Sequence, residues 1–475
     1  MIFKKMIRSK NTPIFHLLIA FLLLFSCVRG QSQSLKRANI HFKNGEYAKA
    51  IPIYRALIVN KKNVASAKSK LAESLRKLNK IEEAAPIYAE IVADSSNVLR
   101  ADDLAHYGEV LLMMGKYDSA TLFLNRAKQL DPDKPQYDVL LRSAQAAPSI
   151  KTLFETDTVV VFAHNFEGDD NAPFFLGDDL IFSSDRRGAR FFPAKNGATG
   201  RYYVNIFMAK SLNTDSSKRF EYAPPSKYDS QFSESSKNSS NASFSANGNY
   251  IFYCQNDVND SKSNTYNLQL FSARKQKKSW KSSRKLNFCT PEANYLHPAI
   301  SPDGNTLFFV AERSGGQGGT DIWTSQRESS GKWSKPENLG DKVNTPANEG
   351  FPFATADGRL FFCSRGHTGM GGYDIFVTKK FDNGEWETPR NLGTPFNSPH
   401  DDLSFCLHQS GSSGAFASSR GGQGDDIFLF SLKQSIFPPL ENAENAPPPV
   451  SKPSKEKNKA KKTKSKKKTS KKKKV

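Results

Sequence analysis

The chain has 475 residues, long enough for two or three domains with a sizeable core, and a formal net charge of +21. Placement of the charge matters more than its size: residues 1–30 carry +5 and the last 25 residues carry +13, which leaves +3 for everything between. A body so close to neutral excludes a nucleic-acid surface spread over a whole domain.

The N-terminus has the three parts of a secretory signal over residues 1–30: basic residues up to Lys10, an apolar run from Ile14 to Phe25, then small and polar residues. That run is too short to span a bilayer comfortably, so removal is expected rather than anchoring as a helix. Two cleavage sites compete. Leu24-Phe25-Ser26-Cys27 has the form of a bacterial lipobox, with Cys27 as the lipidated first residue and an anchor to the outer membrane, whereas Val28-Arg29-Gly30 before Gln31 suits ordinary signal peptidase. Either places the chain outside the cytoplasm, in the periplasm or at the outer membrane of a Gram-negative bacterium.

Residues 35–149 carry a helical pattern with an internal repeat. Ala38, Gly45, Tyr47, Ala50 and Tyr54 recur as Ala72, Asn79, Ile81, Ala84 and Tyr88, an offset of 34, and again as Gly108, Gly115, Tyr117, Ala120 and Leu124 after two extra residues. Small residues let paired helices approach, and aromatics fill the space between them. In period and in these positions the segment resembles tetratricopeptide repeats, with Pro132 where that family ends a second helix and a last helix from about Lys134 to Ala146 as the cap. The resemblance implies a concave face for a peptide or partner helix, with Asn39, Lys43, Lys70, Ser74 and His106 as candidate groove residues. A short array can equally serve as a spacer packed on its neighbour.

Residues 155–434 change period. Ser301-Pro302-Asp303-Gly304, the strand around Leu307 to Val310, a glycine turn at Gly315 to Gly319 and Asp321-Ile322-Trp323 form one unit. It recurs as Ala356-Asp357-Gly358, Leu360 to Cys363, Gly369 to Gly372 and Asp374-Ile375-Phe376, then as Arg420-Gly421-Gly422 to Asp426-Ile427-Phe428. Asp321, Asp374 and Asp426 are spaced by 53 and 52 positions. Two weaker copies lie upstream, at Leu180 to Arg186 and at Ala246 to Tyr253. Each unit reads as four strands: a short apolar strand, an Asp-Gly hairpin turn, a non-alternating buried strand, a third strand after the glycine turn, and an outer strand that tolerates Pro336 or Pro389. Repeated sheets of this kind describe a β-propeller of five blades, with six as the alternative. The run from Thr158 to Phe162 stands where it would close the ring by joining the last blade and so remove free edges.

This repeat resembles the TolB-like or WD40-like propeller repeat of Gram-negative envelope proteins. The succession of helical repeats and propeller is similar to accessory components of the type IX secretion system, although the OmpA-like peptidoglycan-binding domain of that family has no counterpart here. The resemblance spans residues 35–432 and implies a non-enzymatic scaffold that binds other envelope proteins or peptides, as part of a secretion or envelope-anchoring assembly. The alternative is a propeller that binds or cleaves a glycan or peptide in its channel.

The residues themselves argue against catalysis and call for no cofactor or metal. Arg313, Arg365 and Arg420 before the glycine turns and Asp321, Asp374 and Asp426 after them recur from blade to blade, as does Arg186, which points to architecture: the carboxylate accepts turn N–H groups and pairs with the guanidinium. The glycine turns lack the Gly-Lys-Ser/Thr ending of a phosphate loop. No Gly-x-Ser-x-Gly hydrolase motif follows Leu432, and the sialidase spacing Ser-x-Asp-x-Gly is not matched by Ser301-Pro302-Asp303-Gly304. His164, His297, His367, His400 and His408 lack metal-ligand spacing, although His297 and His400, near blade starts, are placed to face the channel. Asp401-Asp402 and Asp425-Asp426 read as turn acids before they read as Ca²⁺ ligands. Cys254, Cys289, Cys363 and Cys406 read as small buried hydrophobes, not as a disulfide framework or metal site.

From Pro438 to Val475 prolines give way to lysines with almost nothing apolar to bury, which predicts a disordered, extended tail. Such a charge run reads either as a solvated tail without a partner or as a site for an anionic envelope polymer: lipopolysaccharide, anionic lipid head groups or peptidoglycan carboxylates, with nucleic acid set aside for an exported chain.

Overall fold

The structure is a computed structural model that describes residues 34–94, 99–187, 199–213, 220–232, 237–256, 267–422 and 424–436. The signal segment with Cys27 and the lysine-rich tail lie outside these residues.

Seven helices come first: α1 over 34–43, α2 (Tyr47–Val59), α3 (Val64–Lys77), α4 (Ile81–Ala93), α5 (Ala101–Met113), α6 (Tyr117–Leu130) and α7 (Pro135–Ala146). The repeat positions explain the pairing. Gly45, Asn79 and Gly115 each adopt positive φ and end the first helix of a pair, so that the backbone N–H of Glu46, Lys80 and Lys116 turns back to the carbonyls of His41, Leu75 and Leu111. Ala38, Ala72 and Gly108 are buried where the two helices cross, and a Cβ on Gly108 would stand 2.6 Å from Cγ of Leu124. Tyr54, Tyr88 and Leu124 fill the space opposite. α3, α5 and α7 neighbour one another on one side of the array.

The propeller follows as five sheets. Blade 1 holds β2 (Asp170–Leu176), β3 (Asp179–Ser184), β4 (Asn205–Ala209) and β5 (Ser226–Lys227). Blade 2 holds β6 (Ser239–Phe244), β7 (Tyr250–Asn256), β8 (Leu268–Gln276), β9 (Ser279–Trp280) and β10 (Arg284–Lys285). Blade 3 holds β11 (Asn294–Ile300), β12 (Thr306–Glu312), β13 (Asp321–Gln326) and β14 (Glu337–Asn338). Blade 4 holds β15 (Glu349–Ala354), β16 (Arg359–Ser364), β17 (Asp374–Lys379) and β18 (Arg390–Asn391). Blade 5 is built from β19 (Asp402–Leu407), β20 (Ser413–Ser418) and β21 (Asp426–Leu432), and its fourth strand is β1 (Thr156–Val161) from the start of the domain, antiparallel to β21. The innermost strands touch in the cycle β2, β6, β11, β15, β19 and back to β2, so the ring closes at five.

The outer strands β14 and β18 are only two residues long, and an asparagine does the rest of their work. Asn344 accepts the Ile322 N–H (2.7 Å) and donates to the Ile322 carbonyl (2.9 Å) and to Asn338 (2.9 Å); Asn397 makes the same three bonds to Ile375 and Asn391. A side-chain amide thus completes a ladder that the backbone leaves unfinished.

Candidate functional surfaces

Every innermost strand carries a bulge, and the bulges narrow the channel. Ala172, Asn241, His297, Phe351 and Ser404 all adopt positive φ of 46–54°, one per blade, each at the register shift of its strand. The freed N–H of each points at the preceding blade. Ala172 donates to Ser404 Oγ (3.1 Å), Asn241 to Ser183 Oγ (2.8 Å), Phe351 to His297 Nδ1 (3.1 Å) and Ser404 to Cys363 Sγ (3.2 Å), while the His297 N–H goes to the Cys254 thiol. The bonds form a circuit, and the space left at the centre is about 40 Å³. Cys254 and Cys363 are therefore hydrogen-bond acceptors at equivalent blade junctions as well as buried apolar groups, and burial pushes both thiols up. No signal in the sequence marks the bulges, because alanine, asparagine, histidine, phenylalanine and serine share no chemistry. What they share is a register position.

The channel lining is mostly apolar, with Pro173, Phe174, Pro298, Phe351, Pro352 and Phe353 around the bulges and no carboxylate among its residues. His297 faces it as the sequence suggests, but its ring lies flat on Phe351 at 3.7 Å and its Nδ1 accepts the Phe351 N–H. Burial pushes the imidazole down to about 3, so it stays neutral and serves as an acceptor. His400 is not among the lining residues; it sits in the connection from blade 4 to blade 5.

The recurring acids hold their turns. Asp321 Oδ2 accepts the Gln317 N–H (2.8 Å), and Asp374 Oδ2 accepts the Met370 N–H (2.8 Å) and Gly371 N–H (3.3 Å). A methyl group on Gly316, Gly369 or Gly421 would collide with the carboxylate of Asp321, Asp374 or Asp426, which explains glycine there without any phosphate. The expected pairing of these acids with the recurring arginines is corrected: the arginines go elsewhere, and in two different ways.

Register decides which way. Asp170, Glu349 and Asp402 begin their blades opposite Ser184, Ser364 and Ser418. Arg186 and Arg420 stand two residues beyond that serine and pair with Asp170 (2.7 Å) and Asp402 (2.5 Å) in their own blades. Arg313 follows Glu312 and Arg365 follows Ser364, each only one residue beyond the equivalent position, so they project to the other side. Arg313 stacks over Trp323 at 4.8 Å. Arg365 stacks over Tyr373 at 4.7 Å and reaches out of its own blade. In blade 4 the position held by Arg186 and Arg420 belongs to Gly366, and Glu349 is bound by Thr345 and Ser364 (each 2.7 Å) with no cation; burial pushes it up to about 7.

Arg365 reaches the helical array. Its Nη1 lies 3.2 Å from Glu109 Oε1 on α5, and its Nη2 lies 2.7 Å from Asp401 Oδ1. Arg76 on α3 holds the other oxygen of Glu109 at 2.8 Å. Burial alone would raise Glu109, but the two guanidinium groups hold it down at about 2. A few residues on, the Gly369 N–H donates to Ser143 Oγ on α7 (3.1 Å), and Gly115 packs on Pro399. The turn of blade 4 over 365–371 is thus seated against Glu109 of α5 and Ser143 of α7, with Arg76 of α3 on the far oxygen of Glu109.

The candidate groove residues are dispersed around that contact. Asn39 accepts the Tyr54 hydroxyl (2.8 Å), and Lys70 lies over Phe42 (4.2 Å) and beside Glu73 (2.9 Å). Lys43 is exposed. Ser74 is corrected: it is fully buried, its hydroxyl turned back to the Lys70 carbonyl at 2.6 Å, so it offers a partner nothing. His106 lies one turn from Glu109, with its ring 6.3 Å from that of Tyr88. Arg76 and Glu109 were missed, although Glu73 and Glu109 occupy the repeat position of Asn39 and follow the buried Ala72 and Gly108. A cavity of about 440 Å³ lies at the N-terminal ends of α3 and α5, but its charges are matched: Lys68 with Glu90, Arg100 with Asp103.

One cluster has the composition of a catalytic triad. His408 Nε2 lies 3.1 Å from Asp178 Oδ1, and its Nδ1 lies 3.0 Å from Ser410 Oγ. That Nδ1 also accepts the Ser410 backbone N–H (3.2 Å), Ser410 Oγ accepts from Ser412, and Asp178 is two-thirds exposed. The imidazole lone pair is committed to its own turn, and water competes for the carboxylate, which suits a hairpin cap better than a general base. Asp401 and Asp402 spend their oxygens on Arg365, the Tyr373 N–H, Ser398 and Arg420. Among the described residues no group of three or more His, Cys, Asp or Glu is arranged to hold a metal ion.

Fold and surfaces together define the class: a tetratricopeptide array followed by a five-bladed propeller. A tetratricopeptide repeat family model matches residues 35–98 and 70–135. No curated protein matches the chain. Among solved structures, the C-terminal part of a TPR repeat-containing protein from Cytophaga hutchinsonii is similar at 21% identity over 24% of this chain, with a TM-score of 0.23; the match spans 45% of that chain, less than half its length. A protein assigned as TolB from Agrobacterium tumefaciens is similar at 15% identity over 55% of this chain and 71% of that one, TM-score 0.28. An exo-β-1,3-galactanase from Clostridium thermocellum is similar at 10% identity over 57% and 62%, TM-score 0.36.

Proposed function

We propose that this chain is a non-enzymatic protein-interaction scaffold of the bacterial envelope. One observation carries the reading: where a propeller would hold a ligand, a circuit of five bulges narrows the channel to a space of about 40 Å³ with no carboxylate among its lining residues. What remains for function is outer surface, and tetratricopeptide arrays offer such surface to peptides and partner helices. The finer reading rests on the sequence. The secretory signal and the Leu-Phe-Ser-Cys motif ending at Cys27 support export and attachment to the outer membrane, the succession of domains supports an accessory place in a secretion or anchoring assembly, and the fourteen lysines of the last 25 residues support attraction to an anionic envelope polymer.

Affinity purification from membranes, with Cys27→Ser beside wild type, tests this reading. Wild type is expected in the membrane fraction with stoichiometric protein partners, and the variant in the soluble periplasmic fraction. Equal partition of both into the soluble fraction would sink the lipid anchor, and recovery of glycan in place of protein would sink the scaffold. Deleting residues 452–475 is expected to weaken sedimentation with cell envelopes at low salt and to change little at 0.5 M NaCl.

A further inference from the structure

The two ends of the helical array differ in charge. Residues 34–80, which hold α1 to α3, carry twelve Lys and Arg against two Glu, or +10, whereas residues 81–149 carry six against eleven acids, or −5. One repeat position shows the contrast directly. Asn60, Asp94 and Asp131 are the C-caps of α2, α4 and α6, and only Asn60 is followed by a pair of lysines, Lys61 and Lys62.

The pairing of the helices fixes where this excess lies. The Tyr54 hydroxyl meets Asn39 across the α1–α2 hairpin, so Lys36 and Arg37 come to the same end as Val59, Lys61 and Lys62. The other end carries the Gly45 turn and faces the propeller: a Cβ on Gly200 would stand 3.2 Å from Ala48 Cβ, just as Gly115 packs on Pro399. α2 has 13 residues, which sets the basic end about 20 Å from that contact.

Half of the twelve cations are spent inside the array. Lys49, Arg55, Lys68, Lys70, Arg76 and Lys80 each bind a glutamate. Lys36, Arg37, Lys43, Lys61 and Lys62 make no ion pair among the described residues, and all but Lys62 are exposed. Apolar side chains stand open among them. Val59 is 80% exposed beside the lysine pair, and Ile40 is 48% exposed one turn after Lys36, on the outer face of α1. The lysine pair is held on a fixed turn, since the N–H groups of Lys61 and Lys62 bond back to the carbonyls of Ile58 and Leu57.

We propose that this basic end of the array seats on an anionic lipid bilayer, with Lys36, Arg37, Lys61 and Lys62 against headgroup phosphates and Val59 in the interface.

Cations set around an open apolar side chain match a surface that offers phosphate outside and hydrocarbon beneath. The chain also enters α1 from that side: the described residues begin at Ser34, seven positions after Cys27. The inference rests on the envelope reading for the presence of a membrane, but it needs neither lipidation of Cys27 nor the lysine-rich tail. Each cation close to such a surface strengthens binding about fivefold.

The test uses the exported full chain with Cys27→Ser and an environment-sensitive fluorophore on Val59→Cys or, on the propeller, on Phe381→Cys. Both positions are exposed, and the four native cysteines among the described residues are buried. With vesicles of phosphatidylglycerol and phosphatidylcholine, the label on Val59→Cys is expected to shift to the blue and to be quenched by nitroxide lipids, and the label on Phe381→Cys to do neither. Phosphatidylcholine alone should give no shift, and 0.5 M NaCl should abolish it. Lys36→Gln, Arg37→Gln, Lys61→Gln and Lys62→Gln together should lower the docked-to-undocked ratio read from the quenching at least about 10-fold, while the tail still brings the chain down with the vesicles. Quenching of both labels alike, or of neither, overturns the proposal, and so does a fourfold variant quenched as strongly as its parent. If the chain with an intact Cys27 fractionates with membranes while the Val59→Cys label stays unquenched, this inference alone fails; if Cys27→Ser leaves fractionation unchanged while that label is quenched, the lipid anchor alone fails.

Discussion

The propeller and the seam that joins it to the helices use the same residue types to opposite ends. Arg420 is shared among Asp402 and Ser418 of its own blade and two backbone carbonyls of the connection that leads into it, and Arg186 is held in the same manner by Asp170, Ser184 and the His164 carbonyl. Arg365, displaced by one residue in register, finds no acid in its own blade and binds across to α5. A single step along a strand turns a side chain to the other face. Repeated residues therefore build the ring, and the departure from the repeat makes the contact.

The comparison is broken most strongly inside the blade. Asp402→Ala leaves the partly buried Arg420 without the fully buried carboxylate that holds it and is expected to cost about 3 kcal/mol in denaturant unfolding of the propeller. Arg365→Ala should cost far less by the same measurement, since Glu109 retains Arg76. Equal losses would show that the two arginines play one role.

A buried acid without a cation gives the next effect. Glu349 is raised from about 4.5 in the unfolded chain to about 7 in the fold, so between these values the native state holds the extra proton and stability falls as pH rises. Glu349→Gln should flatten that slope and leave the variant about 2–3 kcal/mol more stable relative to wild type at pH 8 than at pH 4, read from urea midpoints at both values.

The helical array sharpens the contrast from its own side. Gly108→Ala places a methyl against Leu124 and should cost about 1–3 kcal/mol, seen as earlier loss of the helical circular-dichroism signal while the propeller transition stays in place. Smallest is Ser404→Ala, which orphans the Ala172 N–H in the channel circuit and should cost about 1 kcal/mol.

Much of the architecture was legible because it repeats. The offset of 34 in the helices names the residues that meet at each crossing, and the spacing of 52 and 53 names one sheet per copy, down to the Asp that cradles each glycine turn. The strand that closes the ring was legible from its place before the first blade. Less legible were features whose residue types differ while their positions agree: the five bulges, and the asparagines that finish the outer strands. The bulges also carry the innermost strands beyond their apolar part, so β11 begins at Asn294. Ser74 was misjudged as a groove residue, because a hydroxyl one turn after Lys70 can bond back to its own helix.

Taken alone, the sequence determined the period, and with it the kind of element, the number of copies and the residues that each copy must bury, since these depend on neighbours a few positions away. Which side of a strand each arginine faces, whether the channel is open, and what covers the inner face of the helices were decided only in three dimensions. Those outcomes turn on one-residue differences in register and on groups far apart in the chain, such as Glu109 and Arg365, that meet only once both domains are folded.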